Sequence, residues 1–235
     1  IEKKCLSAKH IGGDFYTFIN KEQRVFTQKK KIEGVIEYVD SRESYLGIAI
    51  GDVAGHGVSS ALVMALTSGL FGEIGKYTRS TSEALKTINE NLAKYLAASH
   101  ISHVTAFYCL LNTITKKLHY SKAGHPPALL IHKDGIIENL DSKGVLLGIY
   151  KNDEFEEKEV QLVSKDKLIL YTDGILEARN KANDTFGLDR FKDFLHKNMN
   201  KSIQEIKTLL FEEIIKFSGT TEASDDQTLV IIEIE

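Results

Sequence analysis

A chain of 235 residues, 42% of them hydrophobic, is long enough for one large domain with a substantial core, and without a Pro-, Gly- or Ser-rich linker it reads as a single domain over 1–235. Its 30 Lys and Arg against 33 Asp and Glu leave a net charge of −3, which argues against a basic nucleic-acid binder, and no apolar stretch reads as long enough to span a bilayer. Cys5 and Cys109 are too few for a disulfide framework or a clustered zinc site, so both read as reduced and the setting as cytoplasmic. The chain opens at Ile1 without a methionine or signal pattern, so the expectation is the C-terminal part of a longer protein that could be anchored to a membrane upstream.

Taken in order, Ile11-Gly12-Gly13-Asp14-Phe15-Tyr16 reads as a strand with a glycine bend. Over 21–43 charged and apolar residues alternate, with Val25-Phe26, Val35-Ile36 and Tyr38-Val39 as strand candidates and Lys29-Lys30-Lys31 as a solvated hairpin tip. A short apolar run over 45–50 is a strand buried on both faces. It delivers Asp52 into the glycine-rich turn Gly51-Asp52-Val53-Ala54-Gly55-His56-Gly57, after which the apolar spacing turns helical. Helices are expected over 59–74 and 82–98, the second capped by Thr81 or Ser82. Gly69, Gly72 and Gly75 near the end of the first mark a hinge or, the safer reading, a tight helix crossing.

Strands follow over 104–111, 117–121, 128–132 and 136–140, with Lys133-Asp134-Gly135 as a hairpin turn. Between them Ala123-Gly124-His125-Pro126-Pro127 holds both prolines of the chain and reads as fixing backbone direction at a sheet edge. Leu146-Leu147-Gly148-Ile149 is an apolar loop, and 155–163 reads as an amphipathic strand. A second buried strand over 167–172 delivers Asp173, followed by Gly174. Helices over 175–178, 188–195 and 203–217 lead to Asp225-Asp226 and a last strand over 229–234.

Each of Asp14, Asp52, Asp173 and the pair Asp225-Asp226 sits at a strand end beside small or polar residues. Alone, each is ordinary turn chemistry. If the strands lie side by side the acids converge, and several ionised carboxylates in a poorly solvated place must bind protons or cations. An oxygen-only donor set suits hard cations, Mg²⁺ or Mn²⁺, as used in phosphate ester chemistry.

Five segments, Ile11-Gly-Gly-Asp14-Phe-Tyr, Ile50-Gly-Asp52-Val-Ala-Gly-His-Gly, Ala123-Gly-His-Pro-Pro, Tyr171-Thr-Asp173-Gly-Ile-Leu-Glu177-Ala-Arg and Asp225-Asp-Gln-Thr228, resemble in their order the PPM-type (protein phosphatase 2C-like) serine/threonine phosphatases, closest to the bacterial branch typified by SpoIIE and RsbU. The resemblance covers essentially the whole chain. It implies an α+β fold, a four-layer αββα sandwich with two central antiparallel sheets. It implies two Mn²⁺ or Mg²⁺ ions, bridged by Asp52 and held by Asp14, Asp173, Asp225 and the Val53 carbonyl, with Asp226 the lesser member of its pair and Asp14 and Asp52 the catalytic carboxylates. It further implies a phosphoserine or phosphothreonine substrate on a STAS-type anti-sigma-factor antagonist, in bacterial partner-switching or stress-response signalling.

Two departures stand out. Thr17 replaces an aspartate common in the branch, and 21–43 is longer than the usual hairpin, with room to modify access to the site or to contact a partner. His56 reads as a turn residue bonded to backbone rather than a general acid, and His125 as a turn residue packed beside Pro126. Arg42 and Arg179 are candidate phosphate helpers. The helices over 58–98 are the natural place for regulation and for a homodimer contact. The rival readings are a catalytically inactive sensing or scaffold module and a nucleotide cyclase of the Gly-Gly-Asp-Glu-Phe type; in the latter motif Phe15 stands where a glutamate belongs.

Overall fold

The computed structural model describes residues 1–8, 11–32, 35–97, 101, 103–150 and 153–235, with backbone alone for 21–43. Among the described residues, strands β1 (Glu2–Leu6), β2 (Phe15–Ile32) and β3 (Val35–Val53) precede helices α1 (Val58–Tyr77) and α2 (Thr81–Leu96). Strands β4 (Val104–Asn112), β5 (Lys117–Ala123), β6 (Ala128–Ile131), β7 (Ile137–Leu140), β8 (Lys158–Gln161) and β9 (Lys167–Tyr171) follow. Helices α3 (Asp173–Leu176), α4 (Gly187–Asn198) and α5 (Ile203–Ser218) then lead to β10 (Gln227–Glu233).

The strands form two five-stranded sheets, ordered β1-β10-β9-β6-β7 and β2-β3-β4-β5-β8, and every pairing is antiparallel. Strand alternation explains why the central strands read as unbroken apolar runs. Ile48, Ile50, Phe107 and Cys109 of one sheet face Leu168, Leu170, Val230 and Ile232 of the other, while Ala49, Val53, Ala106 and Tyr108 turn outward. That outer face is covered by Phe71 of α1 and by Leu85, Ile88 and Leu92 of α2. On the far side, Ile169, Tyr171, Leu229 and Ile231 pack against Phe191, Leu195, Ile206 and Leu210 of α4 and α5. Three apolar layers between four structural layers make an αββα sandwich.

Local chemistry sets the helix ends. Ser202 and Glu205 form a reciprocal capping box on α5, which ends at the left-handed Gly219. Ser80, one residue ahead of the expected cap, accepts from Glu83 N–H on α2. Glu157 also accepts from the N–H groups of Thr81 and Ser82. Burial opposes ionisation of Glu157, but hydrogen bonds from Thr81 and Ser80 outweigh it and hold the carboxyl below its ordinary value.

Helix α1 is unbroken through its glycines. A Cβ on Gly75 would stand 2.7 Å from Ile19 Cδ1 and 3.0 Å from the Tyr108 hydroxyl, whereas Gly69 and Gly72 face open space, so the close approach at Gly75 is of the helix to strands β2 and β4, not the helix crossing expected. At 20 residues and a mean hydropathy of 1.4, α1 is long and apolar enough by composition to cross a membrane, contrary to the sequence expectation. One side of it, including Ser60, Val63, Thr67, Phe71 and Gly75, is buried.

Other expectations also change. The prolines do not mark a sheet edge. They precede β6, an interior strand, where the chain crosses from one sheet to the other and a missing N–H at the strand entry costs no ladder bond. The strand expected over 155–163 is confined to Lys158–Gln161. Lys29, Lys30 and Lys31 pair with Tyr38, Glu37 and Ile36 inside the β2–β3 ladder, so they precede the chain reversal rather than form it; residues 33 and 34 lie outside the described residues. The ribbon beyond Tyr45, where β4 ends at Asn112, points away from Asp14 and Asp52, so 21–43 does not govern access to them.

Candidate active site

The carboxylates meet at one rim of the sandwich because antiparallel neighbours bring the start of β2 beside the end of β3: Phe15 pairs with Gly51. Gly13 makes the close approach, since a Cβ there would fall 2.7 Å from the Val53 carbonyl oxygen and 3.2 Å from Asp52 Oδ1. Asp14 is 7% exposed and accepts the Thr172 hydroxyl at 2.7 Å, which links β2 to the residue preceding Asp173. Thr172 in turn accepts the Thr228 N–H at 2.9 Å.

Electrostatics show the crowding. Burial, partly offset by bonds from Thr228 and Thr172 and reinforced by the charges of Asp52 and Asp226, pushes Asp14 up to about 8. Burial and then the charges of Asp173, Asp225 and Asp226 push Asp52 up to about 7, against a hydrogen bond with Asp14. Asp173 is raised by burial and by Glu177 and Asp225. Carboxyls this close stay together only with a shared proton or a bridging cation.

Asp226 has a different task. It accepts Ala8 N–H at 2.8 Å and Gly13 N–H at 2.6 Å, so its oxygens hold the loop ahead of Asp14. Asp225 stays exposed, with Oδ1 accepting the Asp226 N–H at 2.8 Å. Among the described residues no three His, Cys, Asp or Glu side chains stand as a closed metal cage. The donor set nevertheless fits hard cations: it is all oxygen, and three of its carboxyls are raised by burial and by one another.

The remaining candidates fall away from the rim or take structural roles. Thr17 meets Ser68 of α1 at 2.5 Å, on the helix-facing side of β2, so the residue in place of the branch's second aspartate serves packing. Arg42 pairs with Val25 in the ribbon, roughly 30 Å along β3 from Asp52. Arg179 donates to the Asn183 carbonyl at 3.0 Å. His56 is exposed, and no bond from its ring to backbone is found among the described residues. His125 is 2% exposed, with Nδ1 2.9 Å from Thr105 Oγ1 and Nε2 3.1 Å from the Tyr171 carbonyl. Thr172, Thr228 and Thr105 were given no role from sequence; the first two lie inside the quoted acidic motifs, and Thr105 carries no local signal.

A double antiparallel sandwich clad in helices, with aspartates gathered on one rim, is the architecture of PP2C-type phosphatase domains. The family model described as "Stage II sporulation protein E (SpoIIE)" matches residues 42–235, and the chain belongs to that family. The phosphoserine phosphatase RsbU of Bacillus subtilis (strain 168) is 25% identical over 226 residues, covering 96% of this chain and 60% of RsbU. The phosphoserine phosphatase RsbP of the same organism is 25% identical over 202 residues, covering 84% of this chain and 48% of RsbP. The chain thus spans 60% or less of these relatives. Among solved structures, the SiaA-PP2C domain of Pseudomonas aeruginosa superposes with a TM-score of 0.77 at 20% identity over 99% of this chain and 86% of that one. The PP2C domain of SpoIIE from Bacillus subtilis, with a fragment of its regulatory domain, gives 0.69 at 22% identity over 99% and 63%.

Proposed function

We propose that this chain is a metal-dependent phosphoprotein phosphatase that hydrolyses phosphoserine or phosphothreonine. The observation that carries the reading is the meeting of Asp14 and Asp52 at one rim, where Phe15 pairs with Gly51, each pushed far above the ordinary carboxylate range, with Asp173 raised beside them. Asp14, Asp52, Asp173, Asp225 and the Val53 carbonyl would hold two Mn²⁺ or Mg²⁺ ions. Bound there, such ions supply a water of lowered pKa and positive charge for the phosphoryl oxygens. The chain's own part is positioning: Thr172 orients Asp14, Asp226 fixes the Gly13 backbone, and the β2–β3 register keeps Asp52 opposite both.

The substrate we assign is a phosphorylated STAS-type anti-sigma-factor antagonist in partner-switching signalling, in the bacterial cytoplasm; the names of RsbU and RsbP as phosphoserine phosphatases support the phosphoserine part. Helices α1 and α2 offer a homodimer contact, supported by the outward Val58 and Leu62, 65% and 68% exposed. The test is phosphate release from a phosphoserine peptide and from p-nitrophenyl phosphate with Mn²⁺. Activity that Asp52→Asn lowers below ~1% of wild type supports the proposal. No activity, or equal activity in Asp52→Asn, overturns it; failure to bind Mn²⁺ in calorimetry would instead favour the scaffold reading.

A further inference from the structure

His125 joins the two sheets at the rim where the carboxylates gather. The Tyr171 carbonyl, 3.1 Å from Nε2, can only accept, so Nε2 carries the proton. Nδ1 is then an acceptor and takes the Thr105 hydroxyl at 2.9 Å. Burial pushes the ring's pKa down to about 3, so the imidazole is neutral and held in one tautomer. Its two partners are placed tellingly. Thr105 on β4 pairs with Asp52 on β3, while Tyr171 ends β9, two residues ahead of Asp173.

At the rim the Thr172–Asp14 and Gly13–Asp226 bonds also cross between the sheets, but neither reaches the strand that carries Asp52; away from the rim the sheets meet through apolar side chains such as Ile50, Phe107, Leu170 and Val230. Such contacts fix layer spacing but are non-directional, whereas two hydrogen bonds to one rigid ring fix position. The segment bearing the ring is itself held: Gly124, at φ +62, would drive a Cβ to 2.3 Å from Leu146 Cδ2, and it bridges to Ala106. Asp52 ends a strand of one sheet, while Asp173 and Asp225 flank strands of the other, so the Thr105–His125–Tyr171 chain spans the gap across which these acids face one another.

We infer that His125 is a positioning residue that sets the separation of the Asp52-bearing and Asp173-bearing strands, and through it the divalent-cation affinity of the rim. The affinity part rests on the metal-binding reading above; the tie between strands does not.

Two substitutions each cut one bond. His125→Asn keeps an acceptor near Nδ1 and loses the Tyr171 bond, and His125→Gln keeps a donor near Nε2 and loses the Thr105 bond. Both should raise the calorimetric Kd for Mn²⁺ by ~10–100-fold, with kcat on p-nitrophenyl phosphate at saturating Mn²⁺ falling far less. Adding Thr105→Val to His125→Gln should weaken binding little further, because the bond to the ring is already gone and the hydroxyl's other contact, to the Asp52 carbonyl, is long at 3.5 Å. Without added metal, amide exchange should quicken together at Thr172, which donates to the Thr228 carbonyl, and at Ala54, which donates to the His103 carbonyl. An unchanged Kd beside a lowered melting temperature would reduce His125 to a packing residue. Quickened exchange on one strand alone, or on neither, would overturn the tie itself. If the wild type binds no Mn²⁺, the metal reading fails and the exchange experiment still decides the tie.

Discussion

The Asp226 carboxylate accepts the Gly13 amide at 2.6 Å, across 213 residues of sequence. The same side chain accepts Ala8 N–H, so one acid fastens the start of β10 to the loop that presents Asp14. With the Asp14 N–H at 3.4 Å as a third, weaker donor to it, Asp226→Ala would strand three backbone donors and cost about 2–4 kcal/mol, read as a lowered urea midpoint. Asp225→Asn, at an exposed position, should leave that midpoint within about 0.5 kcal/mol and weaken Mn²⁺ binding instead. Equal effects of the two on stability would contradict this division.

Stability without divalent cation should fall as pH rises. Asp14 and Asp52 are raised to about 8 and about 7 in the folded chain, so from the ordinary carboxylate range up to those values the folded state binds more protons than the unfolded one. Stability then declines with pH across that window. Between about pH 5 and pH 8 the melting temperature should drop by ~3–10 °C. Asp14→Asn should flatten the decline, and Mn²⁺ at the higher pH should reverse it. A flat profile in the wild type would show that the two acids do not burden each other.

Gly13→Ala and Gly72→Ala should act in opposite directions. The first places a methyl 2.7 Å from the Val53 carbonyl oxygen, so backbone must yield, at about 1–3 kcal/mol, and Mn²⁺ binding should suffer with it. The second puts a methyl in open space on a helix and should stabilise by up to about 1 kcal/mol. Chemical denaturation of the pair, with calorimetry on the first, checks both signs.

The Tyr108 hydroxyl is buried with no hydrogen-bond partner among the described residues, set beside Gly75 and Gly47. Tyr108→Phe keeps the ring contact with Phe71 and removes only the stranded oxygen. Stability should be unchanged or higher by up to about 1 kcal/mol. A loss beyond that in thermal unfolding would mean the oxygen has a partner.

What could be read from the sequence was local. Asp14, Asp52 and Asp173 stood out because each adjoins glycine at a strand end, and the central strands because burial on two faces leaves no polar alternation. Strand β1 was illegible: Glu2-Lys3-Lys4-Cys5-Leu6 carries no apolar run, and it is a strand because β10 offers it an edge. The β2–β3 ribbon looked like separate pieces because polar runs such as Thr27-Gln28-Lys29-Lys30-Lys31 separate its apolar pairs. The tasks of Asp226 and His125 were hidden for a different reason: their partners lie far along the chain and are mostly backbone amides and carbonyls, which any sequence would supply.

The strands that end in Asp14 and Asp52 are the same two that, followed the other way, leave the sheet as a paired ribbon. From Phe15 to Ile32 the backbone extends on the order of 50 Å. The acids therefore occupy one pole of a long hairpin. A load applied at the other pole would reach both acid-bearing strands at once, as through a shared lever, without taking space at the near one.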